Sequence, residues 1–142
     1  MDTEERKSRQ ALQTVLDIGA QMLSSGAEIS RVEDSIIRMC HAFGAENVEC
    51  FAITYVIVVT ISGEHTAGLT EIRRINTLDR NMYKLTQLNA LSREICETPM
   101  TPERAAEELR EIQSRKSYSL PGKMGIFALI SISFTLFFGG SV

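Results

Sequence analysis

The last 19 residues, Met124 to Val142, carry no charged side chain. Eleven of the 15 residues from Met124 to Phe138 are apolar. A helix that is apolar on every side leaves no polar face for water and reads as buried or membrane-embedded. Fifteen helical residues rise only about 22 Å, short of a hydrocarbon core of roughly 30 Å. Extension from Pro121 to Val142 gives about 33 Å, enough for one span, with Gly139-Gly140 near the far interface as a helix end or close-packing point. The tail therefore predicts a first transmembrane helix over 124–142, the start of a helix bundle. Arg104, Arg110, Arg115, Lys116 and Lys123 precede it, and no basic residue follows. The positive-inside tendency places residues 1–123 in the cytoplasm, with Tyr118 at headgroup level.

Ahead of the tail the pattern is that of an α+β domain over 1–116, joined by a linker at 117–123. Leu12, Val15, Leu16, Gly19, Met22 and Leu23 fall on one face of a helix over about 4–24, which Gly26 stops. Ser30-Arg31-Val32-Glu33 matches a capping box for a second helix, with Val32, Ile36, Met39, Cys40 and Phe43 as its apolar stripe and Gly44 at its end. Cys50 to Gly63 is uncharged and rich in β-branched residues, and favours strands at 47–53 and 55–62. Ser62-Gly63-Glu64-His65 is a turn, and a third strand at about 66–73 completes an antiparallel meander. Leu78, Met82, Leu85, Leu88, Leu91 and Ile95 predict a helix over 78–97, ended before Pro99. Thr101-Pro102-Glu103 restarts a helix that runs to about Lys116 on a narrow stripe of Ala105, Leu109 and Ile112.

Composition excludes several classes. A net charge of −3 and a pI near 5.4 do not fit a nucleic-acid binder. The charged first ten residues are not a signal peptide. Cys40, Cys50 and Cys96 are an odd set without CxxC spacing, read as reduced core thiols rather than a disulfide framework or zinc site. His41 and His65 lack partners at metal-ligand spacing. Adjacent Cys40 and His41 point about 100° apart on a helix, so they do not form a catalytic pair. No hydrolase, metalloprotease or phosphate-loop motif occurs. The chain reads as a non-enzyme without cofactor or metal.

The densest polar stretch runs from Gly26 to Asp34. As architecture it is a helix junction. As a binding site, Arg31 near a helix N-terminus suits a carboxylate and Glu28 an ammonium group, a pairing for an amino acid or small dicarboxylate. Arg73-Arg74 follows the third strand and either pairs with acids or faces the Glu28–Arg31 region or a partner subunit. Asn89 and Arg93 share one helix face. The candidate substrate-binding residues are Glu28, Arg31, Glu33, Arg73 and Arg93.

Four stretches together resemble the N-terminal domain of the threonine/serine exporter family, which includes the larger subunit of a two-component succinate exporter. They are Asp17-Ile18-Gly19 through Leu23-Ser24-Ser25-Gly26-Ala27-Glu28-Ile29-Ser30-Arg31-Val32-Glu33-Asp34, the strand block ending Val58-Val59-Thr60-Ile61-Ser62, Ile72-Arg73-Arg74-Ile75 leading into Leu88-Asn89-Ala90-Leu91-Ser92-Arg93, and Phe138-Gly139-Gly140. The Gly-Ala-Glu…Arg-Val-Glu stretch is the most specific. The resemblance implies a cytoplasmic domain fused to about five spans in the inner membrane. It also implies a smaller integral-membrane partner or a homo-oligomer, and export of threonine, serine or dicarboxylates driven by an ion gradient. One span forms no translocation path, so the chain is expected to be a fragment or part of an assembly. The alternative is a membrane-anchored cytoplasmic binding or sensory domain without transport of its own.

Overall fold

The computed structural model describes residues 3–64, 66–115 and 120–139. Helices α1 (Thr3–Ser24) and α2 (Ile29–Ala42) precede strands β1 (Asn47–Ile53), β2 (Val56–Gly63) and β3 (Thr66–Arg74). Helices α3 (Met82–Glu97), α4 (Pro102–Ser114) and α5 (Leu120–Phe137) follow. The strands form an antiparallel sheet in the order β1-β2-β3. The expected α+β class, with two helices, a meander and two helices, is what the chain adopts.

The core lies between one face of the sheet and the helices. Strand alternation sends Ala52, Ile57, Val59, Ile61 and Leu69 to that face, where they join Leu12, Val15, Leu16, Ile36 and Met39 in one buried cluster. The predicted stripe of α1 is buried throughout. Helices α1 and α2 approach closely because residue 19 is glycine: a Cβ there would stand 2.6 Å from Cδ1 of Ile36, which is itself fully buried. Ion pairs fasten α1 to β3 two turns apart, Arg9 to Glu71 at 2.8 Å and Arg73 to Asp17 at 3.1 Å. Gly26 and Gly44, with φ of 105° and 100°, occupy the left-handed region at the two predicted helix ends.

Three local expectations are corrected. The capping box does not form. Helix α2 starts at Ile29, with Glu28 at the N-cap and no side-chain cap. Ser30 Oγ instead donates to Glu28 Oε1 at 2.9 Å, and Glu33 Oε1 accepts from the Ala52 N–H at 2.7 Å. Glu33 is thus taken up by the sheet edge rather than by its own helix.

The helix expected from Leu78 starts at Met82, and Leu78 and Met82 are exposed. The segment before it is strapped to the end of α1. Ser24 Oγ donates to the Thr77 carbonyl, and the Asp79 and Asn81 N–H groups donate to the carbonyls of Ser24 and Ser25. These bonds hold the chain extended until Asn81 caps α3 by accepting from the Lys84 N–H at 3.0 Å. The Thr101 cap of α4 forms as expected, with the Arg104 N–H donating to its hydroxyl at 3.3 Å.

The third correction concerns the tail. Helix α5 begins at Leu120, inside the stretch read as linker, and ends at Phe137, with Gly139 in the left-handed region at φ 73°. Its 18 residues rise about 27 Å. Among the described residues no helix is long and apolar enough to cross a membrane. Residues 140–142, which the expected span included, and Tyr118 and His65 lie outside the described residues. Met124, Phe127, Leu129, Phe134 and Phe137 of α5 are all exposed.

Candidate functional site

The five candidate residues are distributed over three places. Glu28 is exposed at the N-cap of α2 and engaged by Ser30. Glu33 is half-buried beneath β1. Arg73 turns to Asp17, not toward Glu28 and Arg31. It borders a groove of 420 Å³ between α1, the end of β3 and α4, along with Gln21, Arg110 and Gln113. Arg31 and Arg93 do come together: both border a 600 Å³ groove between α2 and α3.

The spacing of the two helices builds that groove. Arg31, Asp34, Ser35 and Arg38 project from one face of α2, at intervals of three and four residues. Asn89, Ser92, Arg93 and Cys96 do the same from α3, with Glu97 at its end. The sequence pairs Asn89 with Arg93 and singles out Arg31, but does not mark Asp34, Arg38 or Glu97 as binding residues, although Asp34 ends the polar stretch. The same helical spacing, applied outward from Arg31 instead of only along the apolar stripe, would have found the first two.

Electrostatics separates the two grooves. In the α1–β3–α4 groove Arg73 is committed to the one acid present, Asp17, and its buried Nε has no hydrogen-bond partner, while Arg74 and Arg110 border the groove without an acid to answer an ammonium group. Burial raises the Asp17 carboxyl above its ordinary value, and Arg73 opposes that rise. An anion binding at Arg73 would compete with Asp17.

In the α2–α3 groove Arg38 pairs with Asp34 at 3.0 Å. Among the described residues neither Arg31 nor Arg93 has an ion-pair or hydrogen-bond partner. Three arginines against two acids leave one positive charge in excess. Two uncommitted guanidiniums suit a carboxylate, which each can grip with paired N–H donors. Glu97 supplies an acceptor for an ammonium group, and Ser35, Ser92 and Asn89 supply partners for a hydroxyl.

The thiols do not supply a nucleophile. Burial pushes Cys40 up to about 12 and Cys50 up to about 11. Cys96 is exposed rather than a core filler. Its thiol is also raised, chiefly by burial, with Arg38 lowering it and Glu97 and Asp34 raising it. Raised thiols stay protonated near neutrality, and the thiolate is the reactive form. The described residues bring together no group of three or more metal-ligating side chains.

No curated protein and no solved structure matches the chain significantly. The model of one protein family, ThrE, described as "Putative threonine/serine exporter", matches residues 13–142. That match takes in both helices of the α2–α3 groove, the whole sheet and α5. It carries with it a transport role, membrane association and a small-molecule substrate. The chain belongs to the threonine/serine exporter family.

Proposed function

We propose that the chain is the cytoplasm-facing N-terminal part of an inner-membrane exporter of small hydrophilic metabolites, and that the α2–α3 groove holds the metabolite on the cytoplasmic side. The substrate class is threonine and serine, or dicarboxylates such as succinate. A smaller membrane subunit or further copies of the chain complete the path. The family match over residues 13–142 carries the reading. The uncommitted Arg31 and Arg93, together with an equally uncommitted Glu97 in the same groove, support the choice of groove. The domain performs no chemistry on its ligand; it binds and gates.

Charge-assisted hydrogen bonds contribute about 1.5–3 kcal/mol each. Arg31→Ala or Arg93→Ala should therefore weaken metabolite binding by roughly tenfold to a hundredfold. Calorimetric titration of the chain with threonine, serine and succinate reads this directly. In the exporter joined to its membrane bundle, Arg31→Ala should reduce efflux at unchanged expression, and Arg31→Lys should retain part of it. Equal affinity and equal efflux in wild type and Arg31→Ala would remove the groove from the transport function.

A second reading is a membrane-anchored binding domain without transport of its own. It is favoured by the closed core of the first four helices and the sheet, which does not draw on α5. Binding that responds to Arg31, without any efflux from the assembled protein, would select it.

A further inference from the structure

Among the described residues the helices cover one face of the sheet. On the other, register aligns three rows across the strands: Glu49–Thr60–Thr70, Phe51–Val58–Ile72 and Ile53–Val56–Arg74. An antiparallel sheet with one solvated face normally alternates apolar inward and polar outward. Here the outward positions are apolar at the centre. Phe51 is 63% exposed, Ile72 65% and Ile53 48%. A contiguous apolar patch of this kind, up to a few hundred Å², marks an interaction surface.

The charges on the patch identify its partner. Glu49 lies on β1 in the first row and Arg74 on β3 in the third, so they occupy diagonally opposite corners. Among the described residues neither has an ion-pair partner. A two-fold axis along the other diagonal, from Ile53 to Thr70, lays the face on a second copy of itself. It sets Glu49 of each copy over Arg74 of the other, with the apolar row between. Two-fold interfaces require such self-complementarity, and a diagonal axis gives the crossed sheet packing found in orthogonal sandwiches. Helix α5 does not match both corners: it carries Lys123 but no acidic residue to answer Arg74.

We propose that the bare sheet face is a homodimer interface, closed by two reciprocal Glu49–Arg74 pairs around Phe51, Val58 and Ile72. Three strands about 4.8 Å apart and three rows about 6.8 Å apart make a face of roughly 300 Å², smaller than the roughly 800 Å² per partner of a stable complex. The dimer is therefore reversible, and confinement of copies in one membrane favours it by raising their effective concentration. The inference does not depend on the transported substrate or on the α2–α3 groove.

Charge exchange tests it on the full chain in non-ionic detergent, with self-association read by sedimentation and by energy transfer between labelled copies. Glu49→Arg alone sets arginine over arginine twice, and Arg74→Glu alone sets glutamate over glutamate twice. Each should weaken self-association by at least about tenfold. The double variant should recover it. Mixing the two single variants should also recover it, as mixed dimers, because both reciprocal pairs then carry opposite charges. Both positions are exposed, so the variants keep their fold. A wild-type chain that stays monomeric in this assay overturns the proposal. So does association that ignores all the exchanges, which would place the contact on α5 or elsewhere.

Discussion

Asp17 sits between two opposed effects. Partial burial disfavours its charged form, and Arg73 at 3.1 Å favours it. Burial is the larger, so the folded carboxyl titrates above its ordinary 3.8. The sign for stability follows. Just above pH 3.8 the folded chain still holds a proton that the unfolded chain has released. The Asp17 contribution to stability is therefore fullest below 3.8 and is lost as pH rises through the folded value. In denaturant titrations from pH 3 to 7, the difference between wild type and Asp17→Asn should show this decline. Arg73→Met removes the opposing charge, so it should move the Asp17 carboxyl further up when followed by carbon-detected NMR. An unmoved midpoint would mean that the pair with Arg73 is not made in solution.

At the scale of elements, Glu33 shows how a local motif is overruled by a tertiary demand. Ser30 and Glu33 have the right spacing for a capping box, but β1 is an edge strand. Its outward Ala52 N–H needs an acceptor where α2 passes over it, and Glu33 Oε1 supplies one at 2.7 Å. An unpartnered buried N–H costs about 1–3 kcal/mol, more than the roughly 1 kcal/mol of a helix cap. Glu33→Ala should thus lower stability by about 1–3 kcal/mol in chemical denaturation. Glu33→Gln, which keeps a carbonyl oxygen, should lose much less. Equal losses would mean that the negative charge matters rather than the bond to β1.

The same contrast marks what was legible in the sequence. The stripes of α1, α2 and α4, the β-branched strands and the glycine stops are local patterns, and they were readable to within a residue or two. The late start of α3 was not, because backbone bonds from Ser24 and Ser25 to residues more than 50 positions away hold it. Of the site, Arg31 and Arg93 could each be proposed from their surroundings. Their meeting in one groove depends on how α2 packs against α3, and no spacing along the chain encodes that.

The whole molecule has two apolar surfaces that its own core does not use. One is the sheet face, broken by charges at its corners. The other is α5 from Met124 onward, uncharged on all sides, with Phe127, Leu129, Phe134 and Phe137 each more than 60% exposed. Neither is needed to close the core, which draws its buried side chains from the first four helices and the sheet. A chain ending at Arg115 should therefore fold with the same helix and strand content, by circular dichroism, and remain in aqueous solution. The chain that includes α5 should partition into detergent or lipid vesicles, because exposed apolar area of this extent is costly in water at about 25 cal/mol per Å². Flotation of both chains with vesicles separates these outcomes. Protease treatment of vesicles carrying the longer chain then reports which side residues 3–115 occupy. Family membership and the basic residues from Arg104 to Lys123 together predict the cytoplasmic side. If the longer chain stays in the aqueous phase as a monomer, α5 does not engage a membrane in this form of the protein. If both chains float, the sheet face binds lipid as well.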